Sequence, residues 1–189
     1  GEVGTVRGND SSNNADQYGN RGTGFYIQSQ NGSIVEDNTA FGNVDEGFEI
    51  FGATTARSNI AYNNHIGFRL IGRGGELIGN TAYDNAYGFY GDSSGSGPGL
   101  IQANTAYANT TVGIWGNGAT EVLGNTVRDN DNVGIRSNDL VLNNLVYGNG
   151  GTALTIPSNN GQGRESIVRN NTILSDGATA ISLSNDARD

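Results

Sequence analysis

An all-β solenoid, a parallel β-helix of about eight coils with three short strands each, is predicted by three observations: a recurring phrase, its near-constant spacing, and apolar positions that fall into rows. The phrase is clearest at Asn38-Thr39-Ala40-Phe41-Gly42-Asn43, followed by Gly47-Phe48-Glu49-Ile50. It returns with leading residues Asn59, Asn80, Asn104, Asn125, Asn144 and Asn171, at steps of 21, 21, 24, 21, 19 and 27 residues. An imperfect copy opens the chain at Tyr18-Gly19-Asn20 and Gly24-Phe25-Tyr26. Residues 1–189 form one domain on this reading, because each coil buries its apolar side chains against its neighbours.

Residues 1–23 carry an incomplete first coil, with a polar insertion at 9–14. From Ser33 onward each coil reads as three strands, for example Ser33–Glu36, Thr39–Phe41 and Gly47–Ile50, with alternation deciding which side chains point inward. Three residues before each leading Asn stand Val35, Ala56, Leu77, Ile101, Val122, Val141 and Val168, an inward aliphatic row. Two after it stand Ala40, Ala61, Ala82, Ala106, Val127, Val146 and Ile173, a second inward row. A third comprises Phe48, Phe68, Phe89, Ile114, Ile135, Leu154 and Ile181. The leading Asn residues are expected at coil corners, in left-handed backbone, with their amides bonded from coil to coil as a ladder. Gly47, Gly67, Gly88, Gly113 and Gly134 are expected to be positive-φ turn residues. A leucine-rich repeat would need an L-x-x-L-x-L spacing that is absent, and no 3.6-residue apolar period survives so much Gly and Asn. Longer turns at 92–99 and 157–165 leave the same strand and should form a rim beside it.

The chain has a net charge of −9 and no lysine; its ten cations are all Arg. An acidic surface disfavours nucleic acid and anionic lipid, whose phosphates require a basic face. No apolar run approaches a membrane span, and without Cys neither disulfides nor a thiolate metal site can form. The chain begins at Gly1, as a processed product or an excised piece would.

Two outward rows carry candidate function. Two residues after each Gly the chain reads Tyr26, Glu49, Arg69, Tyr90, Trp115, Arg136, Thr155 and Ser182. Aromatic rings stack on sugar faces and Arg pairs with carboxylates, so Tyr26, Glu49, Arg69, Tyr90, Trp115 and Arg136, spaced ~4.8 Å apart, suit an extended acidic polysaccharide. The other reading is a solvated sheet face supported by its own cross-strand pairs. A second row, Phe41, Tyr62, Tyr83 and Tyr107, forms an aromatic stripe that serves either as a contact surface or as a stack that stiffens the solenoid.

Asp45, Glu46 and Glu49 cluster around a turn as hard oxygen donors, which suits Ca²⁺; a solvated acidic turn is the alternative. His65, the only histidine, lies one coil away in a turn before Arg69 and is a candidate proton carrier or an incidental turn residue.

Coils of the form N-x-A-Y-x-N…G-F resemble, over nearly the whole chain, the right-handed parallel β-helix repeats of polysaccharide lyases and alginate C5-epimerases. Asp45-Glu46-Gly47-Phe48-Glu49 is similar to the Asp-Asp-Gly-Phe-Asp calcium motif of family 9 pectate lyases, with Glu at two Asp positions. Tyr87-Gly88-Phe89-Tyr90 matches only the first three residues of the epimerases' Tyr-Gly-Phe-Asp-Pro-His motif. The resemblance implies an extracellular or cell-surface protein. If it is an enzyme, it implies a Ca²⁺-assisted lyase of uronate polymers in which Ca²⁺ at Asp45, Glu46 and Glu49 neutralises the sugar carboxylate. The family's proton-abstracting lysine is absent, so Arg69 takes that role as arginine does in other pectate lyase families, with His65 or Tyr90 protonating the leaving oxygen. The alternative class is a structural protein, a surface or filament subunit that self-associates through open β-helix ends or through the Phe41/Tyr62/Tyr83/Tyr107 stripe.

Overall fold

The computed structural model describes residues 4–15, 22–29, 31–93, 98–157, 166–175 and 179–184. These residues form three parallel sheets of eight strands each, and no helix occurs among them. Each coil contributes one strand to each sheet, so every strand pairs with its counterpart one coil before and after. The coil beginning at Ile34 supplies Ile34–Glu36, Thr39–Phe41 and Glu46–Gly52. Six inner coils are flanked by neighbours on both sides, and one terminal coil lies at each end.

The three inward rows form one continuous core. Val35, Ala56, Leu77 and Ile101 are fully buried, as are Ala40, Ala61 and Ala82 and the stacked Phe48, Phe68 and Phe89. The Phe rings lie 4.7 to 5.1 Å apart and nearly parallel, Phe25 extending the stack at its N-terminal end. Burying each such ring contributes about 1.5–3 kcal/mol. In the terminal coils the matching residues Val6, Phe25, Ile27, Val168 and Ile173 are only partly buried, because each has a neighbouring coil on one side alone.

The Asn ladder forms, but its backbone differs from expectation. The left-handed residue is the one before each leading Asn: Asp37, Ser58, Gly79, Ala103, Gly124, Asn143 and Asn170, with φ between 54° and 65°. That residue turns the corner and aims the following Asn side chain inward. Asn59 shows the pattern. Its backbone N–H and Nδ2 both donate to Asn80 Oδ1, and its Nδ2 also donates to the Val35 carbonyl. A second ladder of the same construction, not foreseen from the repeat, runs through Asn14, Asn43, Asn64, Asn85, Asn109, Asn130 and Asn149. It too follows left-handed residues, among them Asn63, Asp84 and Ala108.

The glycines at the second position of the third-sheet strands have another cause than a positive φ. Gly47, Gly67, Gly88, Gly113 and Gly134 are absent from the left-handed region. A Cβ on Gly67 would lie 2.6 Å from the Gly88 carbonyl oxygen and 3.0 Å from Asn85 Nδ2. The second ladder and the third sheet approach so closely there that only a residue without a side chain fits.

Candidate functional site

The third sheet has the longest strands, including Glu46–Gly52, Ile66–Ile71, Tyr87–Ser93 and Val112–Gly118, and its pairing sets the outward row in register. Tyr26 faces Glu49, Glu49 faces Arg69, Arg69 faces Tyr90, Tyr90 faces Trp115 and Trp115 faces Arg136. Each member therefore sits directly above the last, on a rigid ladder of backbone hydrogen bonds.

The N-terminal half of the row borders a cleft of about 450 Å³ lined by Gly22, Thr23, Asp45, Glu46, Glu49 and Arg69. Glu46 opens its strand at the corner, and its side chain turns into the wall, leaving the residue 2% exposed. Glu46 Oε1 accepts from Arg69 Nη1 at 2.9 Å, and Oε2 accepts from the Thr23 hydroxyl at 3.0 Å. The same Arg69 Nη1 reaches Glu49 Oε1 at 3.5 Å. A buried carboxylate requires such a partner, since removing the charge from water without one costs several kcal/mol.

Charge is not balanced in the cleft. Burial, followed by the neighbouring Glu46 charge, holds the Asp45 carboxyl above its ordinary range, and the same two causes raise Glu49. For Arg69 burial opposes the charge, but the Glu46 hydrogen bond and the Glu46 and Glu49 charges outweigh it, so its pKa lies above the usual arginine value. His65 Nδ1 stands 3.9 Å from Asp45 Oδ1, and its ring meets the edge of Tyr87 at 5.7 Å.

The C-terminal half is aromatic and cationic. Tyr90 and Trp115 form a T-shaped pair at 5.1 Å, and Tyr87 lies 5.8 Å from Trp115. Arg69 stands 5.9 Å from the Tyr90 ring, whereas the Arg136 guanidinium sits over Trp115 at 4.8 Å. Burial and the nearby Asp92 charge raise the Tyr90 phenol. No ion pair holds Arg136 among the described residues, and its Nε is buried without a hydrogen-bond partner.

Of the residues picked from sequence, Asp45, Glu46, Glu49 and Arg69 converge on one cleft. His65 touches only its Asp45 edge, and Tyr90, Trp115 and Arg136 continue from it rung by rung. Tyr26 is 58% exposed; its ring leans on Phe51 and its hydroxyl reaches Gln28 at 3.5 Å, outside the cleft. The three carboxylates do not form the expected Ca²⁺ cage. No cluster of three acid or imidazole groups with metal-holding geometry occurs among the described residues, and the Arg69 cation lies where Glu46 and Glu49 meet. A guanidinium held charged by two carboxylates is also poorly suited to abstract a proton. The longer turns fall largely outside the described residues, at 94–97 and 158–165.

The aromatic stripe is half-buried rather than openly exposed. Phe41, Tyr62, Tyr83 and Tyr107 stack at 5.0 to 5.1 Å within 8° of parallel, and Arg128 caps the stack 4.5 Å from Tyr107. The faces of Tyr62 and Tyr83 are covered on both sides by neighbouring rings, which reduces the apolar surface the stripe can offer a partner. Thr23 and Tyr87 were not foreseen as parts of the third-sheet surface; Tyr87 precedes the repeat Gly, and Thr23 lies in the irregular first coil.

Among known proteins, the family model described as right handed beta helix region matches residues 52–189. No curated protein and no solved structure matches the chain significantly.

Proposed function

The chain belongs to the right-handed β-helix family, and on that premise we propose that the outward row of its third sheet binds an acidic polysaccharide at the cell surface or outside the cell. The observation that carries the reading is Arg136. Its planar guanidinium is held over Trp115, no acid pairs with it among the described residues, and Tyr90 and Tyr87 continue the surface beside it. A sugar carboxylate gains paired, charge-assisted hydrogen bonds from such a fork, and pyranose C–H groups gain contact with the aromatic edges and faces alongside. Arg69 is less available, since Glu46 and Glu49 already engage it. The acidic cleft repels carboxylates and so favours binding toward the Arg136 end. Binding without turnover is the better supported form, because the one candidate base, Arg69, is kept protonated.

Calorimetric titration with polygalacturonate and alginate oligosaccharides tests the reading. Binding should weaken as salt rises, and Arg136→Ala should weaken it about tenfold or more, the value of a charge-assisted hydrogen bond. Unchanged affinity in Arg136→Ala, or no binding of either polymer, overturns it. Growth of the ultraviolet absorbance of an unsaturated uronate would establish elimination. Concentration-dependent light scattering without glycan binding would favour the assembling, structural reading.

A further inference from the structure

We propose that the outward face of the first sheet joins two copies of this chain across a two-fold axis, through an apolar patch in its C-terminal coils. In the N-terminal coils the charges on this face are satisfied within the chain. Arg57 pairs with Glu36 at 2.7 Å, Arg7 reaches Glu36 at 3.7 Å, and the Thr55 hydroxyl donates to Glu76 at 3.0 Å. Further along, the face changes character. The outward residues of Thr120–Leu123, Leu140–Leu142 and Ile167–Arg169 are Glu121 and Leu123, Leu140 and Leu142, and Ile167 and Arg169. Strand register stacks them in two columns, Glu121, Leu140 and Ile167 in one and Leu123, Leu142 and Arg169 in the other. Leu100 continues the first column one coil back. The three leucines of the block are half-buried, and Ile167 is 38% exposed.

The two charges stand at diagonally opposite corners of this block, and neither has an ion pair among the described residues. A block about 7 Å by 10 Å with unlike charges at opposite corners is self-complementary. A two-fold axis in the plane of contact, near the Leu123 to Ile167 diagonal, sets Glu121 of each copy against Arg169 of the other and gathers the leucines of both copies between these two pairs. The strands of the two sheets then cross steeply, as in orthogonal sheet packing. An anionic polymer or lipid surface suits the block less well, because it would be attracted at Arg169, repelled at Glu121 and repelled by the net charge of −9. A second copy instead satisfies both corners and covers the apolar residues between them.

The first sheet is a different side of the coil from the third, so this inference does not rest on glycan binding by the Arg136 row. Sedimentation equilibrium tests it on the wild-type protein, Leu142→Asp, Glu121→Arg, Arg169→Glu and the double variant Glu121→Arg/Arg169→Glu, with circular dichroism to confirm each fold. The wild type should show a monomer–dimer equilibrium. Leu142→Asp and each single charge reversal should raise its dissociation constant at least about tenfold, and the double reversal should return it to within about threefold of wild type. The reversals sit at the rim of the block and decide the matter if Leu142→Asp does not fold. A wild type that stays monomeric up to about 1 mM overturns the proposal. So does a dimer that both single reversals leave unchanged, or a double reversal that restores nothing. Open-ended growth that ignores all these variants places the contact at the coil ends and overturns it as well.

Discussion

Replacing Asn80 with Ala should lower stability by about 2–4 kcal/mol, and the structure gives the reason bond by bond. Asn80 is 1% exposed. Its Oδ1 accepts from the backbone N–H of Asn59 at 2.9 Å and from Asn59 Nδ2 at 3.0 Å. Its Nδ2 donates to the Ala56 carbonyl at 2.8 Å and to Asn104 Oδ1 at 3.1 Å. Two of these partners find substitutes: Asn59 Nδ2 keeps Val35 O, and Asn104 Oδ1 keeps the Asn80 backbone N–H. The Asn59 N–H loses its partner, and the Ala56 carbonyl, which also serves the strand ladder with Glu76–Ile78, loses its second bond. Leaving the buried Asn59 N–H unsatisfied costs about 1–3 kcal/mol and losing the second bond to Ala56 about 1 kcal/mol more, which together set the range. Urea unfolding followed by circular dichroism measures the difference, with exposed Thr110→Ala as the control. A loss below about 1 kcal/mol would refute the argument that the ladder's role is to satisfy buried backbone groups.

Ala103 and Ala108 hold φ of 54° and 53°, where a Cβ is strained, so Ala103→Gly and Ala108→Gly should each raise stability by up to about 1 kcal/mol in the same urea assay. Gly67→Ala should lower it by about 1–3 kcal/mol, because its Cβ would press on the Gly88 carbonyl 2.6 Å away and that backbone cannot yield freely. Glu49→Gln should raise Tm at neutral pH. The Glu49 pKa is raised on folding, so the folded state binds the proton more tightly and its ionisation is destabilising; the gain should fade as pH falls through the folded pKa toward the ordinary value of 4.5, where wild-type Glu49 is also neutral. A Tm advantage that persists at low pH would point to packing rather than charge.

The core and the ladder were legible because a solenoid repeats its instructions. Val35, Ala56, Leu77 and Ile101 occupy one phase of the phrase, and a row of like residues at a fixed phase has only one way to stack. The corners were harder to read. Their left-handed positions are filled by Asp37, Ser58, Gly79 and Ala103, so no single residue type marks them, whereas the conspicuous glycines answer to crowding between coils. In the cleft, strand register alone placed Glu49 opposite Arg69. Burial of Glu46 was not legible, because it depends on a corner turning one side chain into the wall and on Thr23 from the irregular first coil. The stripe was visible as a row, but ring orientation is a rotamer property that a one-letter pattern does not carry.

The two Asn ladders also give the molecule an electrical direction. In every described rung the side-chain amide donates toward the following coil and accepts from the preceding one, as from Asn38 to Asn59 to Asn80 to Asn104. The amide dipoles therefore add instead of cancelling, and hydrogen bonds in such chains polarise one another. Their partial negative ends point toward the first coil and their partial positive ends toward the last, in the manner of a helix macrodipole built from side chains. Each added coil lengthens both dipole chains, so the field along the axis is a property of coil number as well as of charged residues.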